Sequence, residues 1–220
     1  MPKAPMGEAE ILVKKEQIID TAAEVIMEDG FQNLSMRKIG AKIGMTAANL
    51  YNYYSNKDEL NIAIRTRAGK MLFEALESAY GKGGCIAERI AFMIETYIGF
   101  GMFRPNYYSI MFDMPTPKFA DYVGSPLEEL ARKEKESSEE SLALLKKCIR
   151  DFQDEGYRFP DDTDPFLMMV MIWSQLHGLI SLYNNKILAE INPLPEKMLE
   201  EARDLVHTIL FRFIRKSDSE

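Results

Sequence analysis

The chain has 220 residues, 46% apolar and 28% charged, a globular composition that argues against a disordered or membrane-spanning protein. Its longest unbroken apolar run, residues 166–173, falls far short of the about 20 residues a bilayer requires. The net charge of −7 speaks against a nucleic-acid partner until its distribution is read. Residues 1–29 hold three lysines against seven acids, whereas residues 30–57 hold Arg37, Lys38, Lys42 and Lys57 with no acid, a local +4. An acid-free window in an acidic chain is an electrostatic footprint for a polyanion.

Apolar residues recur at helical spacing almost throughout, and no run alternates convincingly with period two. The pattern predicts a first helix over residues 14–29, with Ile18, Ala22, Val25 and Ile26 on one face and Gly30 as its stop. Ser35 caps a second over 36–43 ending at Gly44, and Thr46 caps a third over about 47–53. Asn56 with Glu59 opens a fourth that reaches Tyr80. A fifth covers 86–103, and Pro105 opens a short sixth that stops before Pro115. Ser125, Pro126 and Glu128 open a seventh that extends to Gly156. Pro165 opens an eighth, and Pro195 a ninth ending near Lys216. The expected fold is therefore all-α, with nine helices and a boundary near residue 57. Residues 1–57 form one domain and residues 58–220 a larger one.

Two short helices joined by Gly44 and Met45 make a helix-turn-helix, because glycine allows the sharp turn. Ile39, Ile43, Met45 and Leu50 are expected to face inward, and small Ala47 and Ala48 let the third helix approach DNA closely. The exposed start of such a helix reads the major groove. Asn49 is the candidate for a base edge, since its amide pairs with adenine. Tyr51 either contacts a phosphate through its hydroxyl or packs on the first helix. Ser35, Arg37, Thr46 and Lys57 border the motif as phosphate ligands. Lys38 and Lys42 fit a solvated helix face at least as well.

Residues 34–60 read LSMRKIGAKIGMTAANLYNYYSNKDEL, preceded by a helix ending in Gly30-Phe31. This block resembles the DNA-binding domain of the TetR family, closely over residues 12–60 and elsewhere in helix count and length. Tyr53-Tyr54 departs from the His-Phe frequent there, which leaves the contact of Tyr53 less defined. Trp173 to Gly178, with His177, resembles the Trp-His-Gly signature of one group of TetR-like C-terminal domains. The resemblance implies a homodimeric regulator that binds a pseudo-palindromic double-stranded DNA operator and responds to a small-molecule effector. A repressor released by a small apolar or aromatic effector is the expected form. The alternative is a helix-turn-helix dimer whose second domain binds a protein partner or only dimerises.

The eighth helix is apolar nearly all round, from Phe166 to Ile180, so a second subunit is expected to cover part of it. Ser174, Gly178 and Ser181 form a small-residue stripe suited to close helix approach. The candidate effector pocket is drawn from Met93, Tyr97, Phe100, Phe103, Tyr107, Met111, Phe112, Met168, Trp173 and His177, against the plainer reading of core packing. His177 fits a satisfied core histidine better than a ligand group.

Enzyme chemistry finds no support. A di-iron bundle needs paired Glu-x-x-His motifs, and neither His177 nor His207 has a glutamate three residues before it. No catalytic Ser/His/Asp or Cys/His motif stands out, and no metal site or cofactor is expected. Cys85 and Cys148 lack CxxC spacing and read as ordinary thiols of a reducing compartment. Without a signal segment, a cytoplasmic protein that does not enter the membrane is expected.

Overall fold

The computed structural model describes residues 7–159 and 163–191, with positions 194, 197, 200, 201, 204, 208, 215 and 216 beyond. Among them the helices are α1 (Glu8–Asp29), α2 (Met36–Ile43), α3 (Ala47–Leu50), α4 (Lys57–Tyr80), α5 (Ile86–Phe103), α6 (Pro105–Phe112), α7 (Phe119–Tyr122), α8 (Glu128–Asp154), α9 (Pro165–Asn184) and α10 (Ile187–Ile191). A 3-10 turn, Phe31–Asn33, follows α1. Strands β1 (Tyr157–Arg158) and β2 (Arg215–Lys216) make one two-residue antiparallel pair, too short to alter an all-α fold.

Most boundaries follow the capping residues. Ser35 Oγ accepts the Lys38 N–H at 3.3 Å, Thr46 Oγ1 the Asn49 N–H at 3.2 Å, and Asp164 Oδ1 the Phe166 N–H at 2.9 Å. The first helix starts six residues earlier than expected. The Glu10 carboxylate accepts the Gly7 N–H at 3.2 Å, and Glu8 and Glu10 suit the positive end of the helix. The third helix is shorter than expected, because the N–H groups of Tyr53 and Tyr54 converge on the Leu50 carbonyl and close it into a turn. The helices α7 and α10 were not expected; α7 opens where Asp121 accepts the Lys118 N–H at 2.7 Å. Pro126 sits in a turn ahead of α8 rather than inside it, with Ser125 Oγ accepting the Leu127 N–H at 3.1 Å. Most of the expected ninth helix lies outside the described residues. Positions 197, 200, 201, 204 and 208 are helical, but 215 and 216 belong to β2.

The chain divides into two compact units. One takes the chain to Gly69 together with Asn106–Ser138; the other takes Lys70–Pro105 and the chain from Glu139 on. In the first, Ile18, Ala22, Ile26, Ile39, Leu50, Leu60 and Ile64 are fully buried. Gly40 permits the tight turn after α2, since a Cβ there would stand 2.4 Å from the Met45 carbonyl oxygen. Gly44 supplies the left-handed backbone, with φ +68°. Ile62, Tyr122 and Ala131 form a further buried cluster, with Phe119 and Leu127 against it.

In the second unit α5 packs on α9, and Gly101 allows the approach: a Cβ there would meet Ile180 Cγ2 at 2.5 Å. Asn184 Nδ2 also donates to the Gly101 carbonyl at 3.1 Å. Around Gly178 no atom of the described residues lies within 4 Å of where a Cβ would be, so among these residues the close helix approach is made at Gly101. Of α9, Leu176 and Ile180 are buried, while Phe166, Leu167, Met171, Trp173 and Leu182 are exposed. With 20 residues and mean hydropathy 1.4, α9 is the one described helix that meets the length and composition needed to cross a membrane.

Candidate functional site

The helix-turn-helix presents a polar, aromatic edge. Asn49 is exposed and Ala47 half-buried, and Asn49 Oδ1 accepts from Asn52 Nδ2 at 3.4 Å. Tyr51 is 56% exposed, so it is not the tyrosine packed on the first helix. That place belongs to Tyr54, whose hydroxyl is pushed up to about 12, chiefly by burial, and whose ring lies 5.6 Å from Lys15 Nζ. Tyr53 is half-buried. The Ser35 and Thr46 hydroxyls are helix caps, which leaves their remaining lone pairs and protons for another partner.

The window that is acid-free in sequence is not acid-free in space. Lys42 Nζ donates to Glu28 at 2.7 Å and reaches Glu24 at 3.4 Å, and its proton is held more firmly, first by Glu28. Lys38 Nζ donates to Asp29 at 2.7 Å. All three acids belong to α1. Arg37 is exposed with no acidic partner among the described residues, and Lys57 Nζ stands 5.0 Å over the Phe31 ring. Two of the four cations are therefore matched by intrachain acids, and Arg37 and Lys57 carry the open charge. Composition missed this, since the partners lie 9 to 18 residues upstream.

The residues named for an effector fall in both units. In the second, Met93, Tyr97 and Phe100 are buried, and Met168 and His177 half-buried. Trp173 Nε1 donates to the Tyr97 hydroxyl at 2.8 Å, and the Trp173 and His177 rings are 6.2 Å apart. Phe103 stands apart at 81% exposed, no part of this unit's packed interior. In the first unit Tyr107 is buried, and Met111 and Phe112 are half-buried, with Phe112 tilted against Tyr108 at 5.0 Å. Cys148 is buried, which pushes its thiol up to about 11 and keeps it protonated and inert.

The first unit also holds a buried polar group that sequence reasoning missed. Arg65 Nη2 lies 3.1 Å from Glu134 Oε1, with both side chains mostly buried. Asn61, fully buried, donates to Pro117 O at 3.2 Å and the Tyr122 hydroxyl at 3.1 Å. Lys118 Nζ donates to Met111 O at 3.4 Å and Thr116 Oγ1 at 3.1 Å, and burial, then Arg65, lowers it to about 8. The partners of Arg65 and Asn61 are 56 to 69 residues away, and those of Lys118 lie two and seven residues away outside any one helix, so no local pattern signals them.

Residues 18–64 match the bacterial regulatory proteins of the tetR family, and residues 90–206 match the tetracyclin repressor-like C-terminal domain, more than half of the chain. The chain belongs to the TetR family. It is a helix-turn-helix DNA-binding regulator of that family. It is 29% identical over 84 residues to the fatty acid metabolism regulator protein of Bacillus subtilis (strain 168), a match spanning 38% of this chain and 43% of that protein. The chain thus matches less than half the length of that relative. The structure of the ketosteroid transcriptional regulator KstR2 of Mycobacterium tuberculosis has a TM-score of 0.68 at 14% identity, covering 89% of this chain and 93% of that one. FadR of Bacillus subtilis in complex with stearoyl-CoA has a TM-score of 0.63 at 20% identity, covering 87% and 96%. These likenesses establish the shared fold.

Proposed function

We propose that this protein is a homodimeric, sequence-specific transcription repressor released from its operator by a small apolar or aromatic effector. The observation that carries the reading is the open edge of the helix-turn-helix: exposed Asn49 and Tyr51 beside Arg37 and Lys57, neither matched by an acid among the described residues, on a motif that belongs to a regulatory family. Asn49 reads a base edge; Tyr51, Thr46, Ser35, Arg37 and Lys57 hold phosphates; Ala47 gives close approach, and Tyr53 borders the groove. Residues 1–57 are the reader, and residues 58–220 bind effector and dimerise. The exposed apolar residues of α9 support a two-fold seam, since a soluble monomer rarely leaves such a face open. The protein then works in the cytoplasm, off the membrane.

The helix α4 begins at the reader and runs 24 residues, a rigid lever from Lys57 to Tyr80. An effector bound by residues 58–220 shifts the lever and the separation of the two recognition helices, which must be about 34–36 Å or a multiple for successive major grooves. The coupling is reciprocal, so the effector binds less tightly to the operator complex. Stearoyl-CoA, the ligand named for a structural neighbour, is the first compound to test.

The experiment is selection of duplexes from a random pool, followed by binding of the winner with and without stearoyl-CoA. The expected result is a pseudo-palindrome whose affinity falls with salt and with the ligand. Enrichment of no duplex overturns the DNA reading. Enrichment with no response to stearoyl-CoA, ketosteroids or aromatic acids, and no thermal stabilisation by them, favours the alternative in which the second domain only dimerises or binds a protein.

A further inference from the structure

Four acids of α1, Glu16, Asp20, Glu24 and Glu28, follow one another at intervals of four and so lie along one face of the helix. Like charges at that spacing repel and weaken an isolated helix, so the row needs cations from elsewhere. Its two halves find them on different elements. Glu24 and Glu28 meet Lys42 of α2, inside the helix-turn-helix. Glu16 and Asp20 meet Arg67 of α4, whose Nη1 is 2.8 Å from Glu16 Oε2 and 3.2 Å from Asp20 Oδ1, and also donates to the Glu16 carbonyl at 3.3 Å.

Asp20 has a second partner. The Tyr107 hydroxyl, near the start of α6, donates to the same Oδ1 at 2.6 Å, and the Arg67 guanidinium lies 5.5 Å over the Tyr107 ring. Burial, then the Asp20 bond, hold the Tyr107 proton well above its ordinary range, so the hydroxyl stays a donor. The far end of α6 is held as well: the Met111 carbonyl accepts from Arg65 Nη1 and from Lys118 Nζ, each at 3.4 Å. Through Arg65 and Arg67, α4 grips α6 at both ends, and through Asp20 that grip extends to α1. All of these residues lie in the same compact unit as the helix-turn-helix.

We infer that the acid row of α1 is the rod that fixes the reader to α4 and α6, with Asp20, Arg67 and Tyr107 as positioning residues for DNA recognition. The row runs from α6 at one end to the Lys42 end of the reader at the other. A displacement of α6 is thereby passed to α2 through α1 as well as along α4. This rests on the proposed DNA-reading function and adds to it the group that sets the reader's angle.

The test is Asp20→Ala, read with the duplex selected by the wild-type protein, a series in which half-site spacing is altered by one or two base pairs, and a single half-site. The variant cuts both bonds at an exposed position. It also removes one charge from a repelling row and introduces the best helix former, so α1 itself is not weakened. The expected result is a loss of about fivefold to tenfold on the optimally spaced duplex. The spacing optimum should flatten while half-site affinity stays unchanged, and the melting temperature should fall by only a few degrees, as the buried Tyr107 hydroxyl loses its acceptor. Tyr107→Phe should reproduce the flattened profile, and the double variant should fall no further, because both act through one carboxylate oxygen. A spacing profile identical to wild type, or additive losses, overturns the positioning role while leaving DNA reading intact. Failure of the wild-type protein to enrich any duplex overturns DNA reading itself, and the positioning role with it.

Discussion

In the helix-turn-helix region the apolar side chains of Ile18, Ile26, Ile39 and Leu50 are fully buried within the chain, whereas in α9 only Leu176 and Ile180 are buried and Phe166, Leu167 and Met171 stand open. The apolar residues of the first region recur every three or four positions, so each helix turns one stripe to the others and leaves a polar face for DNA. The helix α9 is apolar on more faces than its own unit can cover. The first region buries its apolar stripes within the chain; α9 leaves part of its apolar surface open, where the proposed second subunit would cover it. A core defect in the first should therefore unfold the protein regardless of concentration, and a defect on α9 should change assembly first.

The largest expected effect follows from Leu50→Ala, which empties a fully buried site between α2 and α3 and should cost about 2–5 kcal/mol. Urea unfolding at two protein concentrations checks it, and no concentration dependence should appear in the change. Next is Met171→Glu on the exposed side of α9. It removes nothing from the chain's own core but would bury an unpaired charge in the proposed seam. Light scattering at micromolar concentration should then give the 25.2 kDa monomer with helicity retained. A dimer unaffected by this charge would place the seam elsewhere.

Asn49→Ala should relax preference at one base pair by about 1–3 kcal/mol, seen as a broadened position in a repeated duplex selection. A smaller effect is expected for Glu28→Gln, which frees Lys42 from its closest acid. Surface ion pairs are weak, and phosphates compete for the lysine. Affinity for unrelated duplexes should rise a few-fold, and the salt dependence should steepen by about one phosphate contact. The smallest effect concerns pH. Lys118 is lowered to about 8 in the folded protein, so between that value and the ordinary lysine range the unfolded chain holds the extra proton and stability rises with pH. Melting of Lys118→Met against wild type should show that rise missing from the variant, with the variant favoured below pH 8.

Much of the fold is legible from local chemistry. Ser35, Thr46 and Asp164 cap their helices, Gly44 turns the chain, and the acid-free stretch with its tyrosines marks the reader, because each of these acts on neighbours within a few residues. Less was legible where bonds reach further. The early start of α1 rests on the single Glu10–Gly7 bond, and α7 has only four residues, too few to show a period. Tyr51 and Tyr54 look alike in sequence, yet one is exposed and the other packed, because the turn at Leu50 rotates the chain between them.

By itself the sequence determined the all-helical class, the helix-turn-helix and the family, since periodicity, caps and turn residues are properties of short segments. Only the tertiary structure decided which charges stay open and which helices act together. Lys38 and Lys42 lose their freedom to acids of α1, and Asp20 is shared by Arg67 and Tyr107, 47 and 87 residues away. The physical reason is one of range. Capping bonds are fixed once a helix forms, whereas an ion pair depends on which helices the burial of apolar side chains brings together.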